Sequence, residues 1–142
     1  MPSSQDVQQL LYIYELLGNQ EETLRQQISM LNNQTQGVNI SKQTMEEFRV
    51  LPPNHESLIP IGNNAYTSAK LLNPEKVVVK INKDVLIEKD LEEGIKSMDK
   101  LLKTYQNLNE KLNAQLKDVQ SKLNQIKPQI EQIYRRQGMN PQ

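Results

Sequence analysis

The sequence predicts an α+β chain: a long antiparallel coiled coil whose two helices are joined by a pair of β-hairpins. Three observations carry that expectation. Two heptad ladders of nearly equal length occupy the two ends of the 142-residue chain. A short, proline-bounded segment rich in β-branched residues separates them. Across both ladders 21 of 25 seam positions are apolar, whereas a chain that is 36% hydrophobic would place about nine there by chance.

The first ladder reads Val7, Leu10, Tyr14, Leu17, Glu21, Leu24, Ile28, Leu31, Thr35, Val38, Lys42 and Met45. Ser3 or Ser4 is placed to cap this helix, with Asp6 in its first turn facing the positive end of the dipole. No proline interrupts the stretch from Ser3 to Leu51, and Pro52-Pro53 then ends it. Gly18 and Gly37 fall off the seam, each loosening the helix by roughly 1 kcal/mol relative to Ala. Residues 1–50 are therefore read as the first helical arm.

Residues 51–89 differ in kind. Leu58-Ile59-Pro60-Ile61 precedes the turn signal Gly62-Asn63-Asn64, and an extended run continues from Ala65 to Leu72. After Asn73-Pro74-Glu75 come Val77-Val78-Val79-Lys80-Ile81, a short turn at Asn82-Lys83-Asp84 that tolerates positive φ, and Val85-Leu86-Ile87-Glu88. Four short strands in this order make two tandem hairpins. Pro60 removes a ladder donor, so its strand lies at an edge or carries a bulge. Hairpins this small are barely stable alone and leave open edges that invite pairing with another chain. They are expected to join those of other subunits in a shared sheet or barrel.

The second arm, 90–138, opens with Asp90-Leu91-Glu92-Glu93, where Asp90 and Glu93 have capping-box spacing. Its ladder runs Leu91, Ile95, Met98, Leu102, Tyr105, Asn109, Leu112, Leu116, Val119, Leu123, Ile126, Ile130 and Ile133. The 42 residue steps from Leu91 to Ile133 cover roughly 63 Å at helical rise. Pro128 is expected to kink or loosen the helix, Gly138 is a C-terminal cap, and 139–142 form a tail. A repeat of 3.5 residues held this long specifies a left-handed supercoil. Matched arms fold back on each other, with both termini at one tip and the hairpins at the other end. Glu21, Thr35, Lys42 and Asn109 either fix register at some cost in stability or are tolerated irregularities.

Composition excludes several functions. Lys plus Arg equals Asp plus Glu at 17 each, so the net charge is zero, and phosphate binding would need a surplus of cations. No apolar run approaches the ~20 residues of a membrane span, and no signal-peptide pattern precedes the first arm. Cysteine is absent, so there is no thiolate metal site. A soluble, cytoplasmic chain is expected. His55 is the lone histidine, with no ligand set and no nucleophile partner. Glu46-Glu47 and Glu92-Glu93 sit at helix ends, and no glycine-rich phosphate loop is present. Neither an enzyme nor a cofactor is expected.

One stretch is too apolar for its seam. In Leu10-Leu11-Tyr12-Ile13-Tyr14-Glu15-Leu16-Leu17 only Leu10, Tyr14 and Leu17 are needed by the ladder. Leu11, Tyr12, Ile13 and Leu16 have no evident partner. The antiparallel arrangement brings them beside Ile126, Ile130, Ile133 and Tyr134. Exposed apolar patches of this kind commonly mark binding sites; the alternative is that these side chains pack against a neighbouring helix.

The middle segment resembles the alpha class of the prefoldin family, ATP-independent co-chaperones of archaea and eukaryotes. The resemblance rests on Leu58-Ile59-Pro60-Ile61-Gly62, Ala65-Tyr66-Thr67-Ser68-Ala69-Lys70, Val77-Val78-Val79-Lys80-Ile81 and Val85-Leu86-Ile87-Glu88-Lys89. Two hairpins rather than one mark the alpha class. Asn82-Lys83-Asp84 departs from the family's glycine-containing turn. The resemblance implies a hexamer of two alpha with four beta-class subunits. In it Leu58, Ile59, Ile61, Tyr66, Val77, Val79, Ile81, Val85 and Ile87 would serve oligomerisation in a β-barrel platform. It also implies that Leu10, Leu11, Tyr12, Ile13, Tyr14, Leu16, Leu17, Ile126, Ile130, Ile133 and Tyr134 would hold unfolded clients. These would pass to a group II chaperonin, with no ATP, metal, nucleic acid or membrane involved. The alternative reading is a structural tether, which predicts one stoichiometric ligand instead of many unfolded ones.

Overall fold

The computed structural model describes residues 3–136 and residue 138; the tail expected at 139–142 lies outside the described residues. The element order is α1 (Ser4–Phe48), β1 (His55–Gly62), β2 (Ala65–Leu71), β3 (Lys76–Asn82), β4 (Val85–Asp90) and α2 (Leu91–Arg136). The strands form two antiparallel hairpins, β1 with β2 and β3 with β4. Two long helices with two hairpins between them is the fold class the sequence predicts. The chain divides into a terminal unit, residues 1–33 with 105–142, and a hairpin-bearing unit, residues 34–104.

Every position of both ladders is buried or half-buried, including Glu21, Lys42 and Asn109. The most deeply covered are Leu17, Leu31, Leu91, Ile95, Val119 and Ile130. Among the described residues no side chain is fully enclosed, which is what a seam between only two helices allows.

In the terminal unit, α1 starts with a reciprocal cap. Ser3 Oγ accepts the Asp6 N–H at 3.2 Å, and Asp6 Oδ2 accepts the Ser3 N–H at 3.1 Å and the Ser3 hydroxyl at 2.8 Å. Those hydrogen bonds from Ser3 hold the Asp6 carboxyl below its ordinary pKa. The helices of this unit run antiparallel. Asp6, Val7 and Leu10 share a depression with Gln129, Gln132, Ile133 and Arg136, while Ile28, Ser29 and Asn32 share one with Asn113 and Leu116. At the polar seam position, Asn109 Nδ2 donates to Asn32 Oδ1 at 3.0 Å, and Asn113 Nδ2 donates to Asn109 Oδ1 at 2.7 Å. α2 stays helical through Pro128 to Arg136. Gly138 follows in the left-handed region at φ 73°, its N–H donating to the Arg135 carbonyl at 3.2 Å, as a C-terminal glycine cap does.

In the hairpin-bearing unit, charges cross between the helices. Arg49 grips Glu92 with two hydrogen bonds, Nε to Oε1 at 2.6 Å and Nη2 to Oε2 at 2.8 Å. Lys42 Nζ lies 2.5 Å from Asp99 Oδ1 and 3.7 Å from Glu46 Oε1. The capping box expected at Asp90 and Glu93 gives way to other partners. The Asp90 carboxylate pairs with Lys76 Nζ, and the Leu91 N–H donates to the Glu75 carbonyl at 2.8 Å. β4 therefore runs directly into α2 with no intervening loop.

The two hairpins share a design. Each register slips by one residue beside its turn, between Pro60 and Gly62 in the first and between Lys80 and Asn82 in the second. The surplus residues are Ile61 and Ile81, and both are exposed. The bulge falls next to Pro60, where the missing N–H interrupts the ladder. The turns differ. Asn63 and Asn64 adopt φ of 45° and 62°, the conformation a tight hairpin turn demands. At Asn82-Lys83-Asp84 the tolerance for positive φ is not used; the Asp84 N–H donates to Asn82 Oδ1 at 3.0 Å in an Asx turn.

Candidate functional site

The two units each present apolar side chains to solvent, and they do so differently. In the terminal unit the seam takes Leu17, which is buried, and Leu10 and Tyr14, which are half-buried. Tyr12, Ile13 and Leu16 stand outside it, 67%, 44% and 45% exposed. Leu16 lies four residues from Tyr12 and three from Ile13, so it joins both into one patch on the helix surface. Leu11 is half-buried, so it is better covered than the sequence suggests. On α2, Ile130 is buried, and Ile126, Ile133 and Tyr134 are half-buried. Leu10 and Ile133 do come together, in the depression already described.

Leu16 also heads an open groove. Its floor is Leu24 and Val119, and its walls are Asn19, Gln20, Thr23, Gln115, Asp118 and Lys122. Asp118 and Lys122 pair with each other at 3.1 Å across one helical turn, leaving little net field in the groove. The chemistry on offer is apolar area beside neutral amides, with no strong charge to select a ligand.

The hairpin-bearing unit exposes strands. Leu58, Ile59, Ile61, Tyr66, Ile81, Val85 and Ile87 are exposed, while Val77 and Val79 are half-buried. The sequence reading missed Val78 and Leu86, which are 62% and 65% exposed. Val78 pairs with Glu88 and Leu86 with Lys80, so both lie on the sheet face opposite Val77, Val79 and Ile87. The signal was present: an unbroken apolar run such as Val77-Val78-Val79 marks a strand made to be covered on both faces. Gly94 was missed as well. It is buried in the first turn of α2, where a Cβ would overlap Val77 Cγ2. Each hairpin has only two strands, so among the described residues no third strand pairs with its outer edges.

The ion pairs near the hairpins shift their partners in matching directions. Arg49 holds the Glu92 carboxyl below its ordinary value, and Glu92 raises Arg49 in turn. Asp99 raises Lys42, and Asp90 raises Lys76. Among the described residues no group of three or more His, Cys, Asp or Glu side chains is placed to hold a metal ion. His55 sits half-buried at the start of β1. No helix among the described residues is long and apolar enough to cross a membrane.

Two long helices with two bulged antiparallel hairpins between them define the class of chain by its fold. The prefoldin subunit family model matches residues 17–136, and the chain belongs to that family. Within it the chain is of the archaeal alpha type. It is 21% identical to prefoldin subunit alpha of Pyrococcus horikoshii, a match covering 96% of this chain and 93% of that one. It is 27% identical to prefoldin subunit alpha of Methanococcus maripaludis, over 80% of this chain and 76% of that one. The cryo-EM structure of filamentous PFD from Methanocaldococcus jannaschii has the same fold. Its TM-score is 0.72 at 22% identity, over 81% of this chain and 95% of that chain. Family membership makes the chain a chaperone subunit that assembles with other prefoldin subunits.

Proposed function

We propose that this subunit is a holdase: it captures unfolded polypeptides on the apolar surface of its terminal unit and delivers them to a group II chaperonin without ATP. The observation that carries the reading is the patch of Tyr12, Ile13 and Leu16, exposed although the seam beside it is already filled. Each CH₂ buried there is worth ~0.8 kcal/mol, so a few side chains hold an unfolded segment weakly and without demanding a sequence. Leu10, Leu11, Tyr14, Leu17, Ile126, Ile130, Ile133 and Tyr134 back this surface and join it where the helix ends fray. The segment 51–89 joins beta-class subunits, two alpha with four beta, in a shared β-barrel. Open strand edges and apolar residues on both sheet faces support that role. The complex works in the cytoplasm as a binding device with no catalytic step.

The test is direct. Tyr12, Ile13 and Leu16 are replaced together by Ser in a complex assembled with a beta-class subunit, and suppression of aggregation of a denatured protein is measured. Lost suppression at unchanged particle mass is expected. Undiminished suppression rejects the terminal unit as the capture surface.

A further inference from the structure

The two hairpins share a fold but not a fastening. Among the described residues, no hydrogen bond or ion pair links residues 56–70 of the first hairpin to either helix. The second hairpin is tied to α2 at two points. The Glu75 carbonyl accepts the Leu91 N–H at 2.8 Å, and Lys89 Nζ donates to Ser97 Oγ at 2.9 Å. Beneath these ties Val77 of β3 meets α2 at Gly94.

Gly94 has no conformational reason to be glycine. Its φ is not positive, and in a helix it costs about 1 kcal/mol relative to Ala. Space is the reason. A Cβ at Gly94 would overlap Val77 Cγ2 and would also lie 3.5 Å from Met45 Sδ. Val77 is β-branched and stiff at χ1, so its methyl cannot simply swing aside; it must change rotamer or the strand must withdraw. The missing side chain is a notch that lets β3 press onto α2.

We propose that Gly94 is a positioning residue for assembly. It seats Val77 and so fixes the pose in which the second hairpin meets the neighbouring subunit, while the first hairpin adapts to that partner. The proposal rests on reading the hairpins as the subunit interface. Fixing the pose during folding removes an ordering cost from docking, which is how preorganisation raises affinity.

The experiment compares Gly94→Ala, Val77→Ala and the double variant, each as the full chain titrated with a beta-class subunit, with association read by sedimentation. Gly94→Ala is expected to weaken association about tenfold while helix content and melting temperature of the free chain hold or rise. The double variant is expected to associate better than Gly94→Ala and as well as Val77→Ala alone, because removing the Val77 methyls makes room for the new Cβ. Unchanged association for Gly94→Ala, or a double variant no better than it, overturns the seat. Asp at both Val79 and Ile81 is the control for the interface itself. If that variant still assembles, the interface reading fails and takes this proposal with it. If it does not assemble while Gly94→Ala associates normally, the seat alone is wrong.

Discussion

The terminal unit and the hairpin-bearing unit both expose large apolar side chains, yet physically the two exposures differ. On α1 the backbone N–H and C=O groups around Tyr12, Ile13 and Leu16 are already paired within the helix. What remains for a ligand is apolar area, which is attractive from any direction and indifferent to register. In the hairpins the side chains of Val78, Ile81 and Leu86 come with unpaired strand edges. A partner that covers them must also match hydrogen bonds at fixed spacing, and a slip of one residue turns every side chain over. A greasy helix suits many unrelated chains, whereas a greasy open-edged hairpin suits one.

That contrast can be broken at its strongest point first. Asp at both Val79 and Ile81 buries charge in the proposed sheet and is expected to release free subunits in sedimentation. A particle of unchanged mass would move the specific interface away from the hairpins. A smaller effect is expected when Tyr12 alone is changed to Ser: aggregation suppression drops several-fold, in proportion to apolar area lost and regardless of the client chosen. If one client is lost and another kept, the patch is selective and the comparison fails on that side. Smaller again is Leu31→Ala, which trims a buried seam residue of the terminal unit. About 2–3 kcal/mol of stability should go, read as a lower melting temperature with assembly intact.

The smallest effect concerns charge. Glu92 is held below its ordinary pKa by Arg49, so the pair stabilises the fold fully above the usual carboxylate range. The contribution is lost as pH falls through the lowered value. Lys42, Arg49 and Lys76 are raised from values already far above neutrality, so these cations stay charged through the acid range, and the Arg49 pair gives way there through Glu92. Arg49→Gln should therefore melt slightly below the parent chain at pH 7, with the gap closing as pH falls below the usual carboxylate range. A gap independent of pH would mean that the two Arg49 hydrogen bonds contribute little.

Much of this fold was legible because a heptad ladder and a hairpin turn are local signals. The seam needed only spacing, and Pro60, Gly62 and Asn63-Asn64 announced the bulge and turn of the first hairpin. The polar seam positions were visible too, but not their partners. Asn109 finds Asn32, and Lys42 finds Asp99, across a helix pair whose register no spacing rule fixes. Asp99 has Lys103 at the favourable distance along its own helix, yet its recorded partner is on the other one. Gly94 was illegible for the same reason. A glycine in a helix looks like a weakness until a neighbouring strand is placed against it. Leu11 shows the reverse error: it looked superfluous to the seam, yet it is half-buried at the seam's flank.

The junction at Asp90 and Leu91 has one more consequence. Strand becomes helix there without a single residue of slack, and the Leu91 N–H is moored to the carbonyl of Glu75. A joint of that kind has no give. Whatever twist a neighbouring molecule imposes on the second hairpin is passed straight to the first turns of α2, as torque passes along a shaft from its coupling.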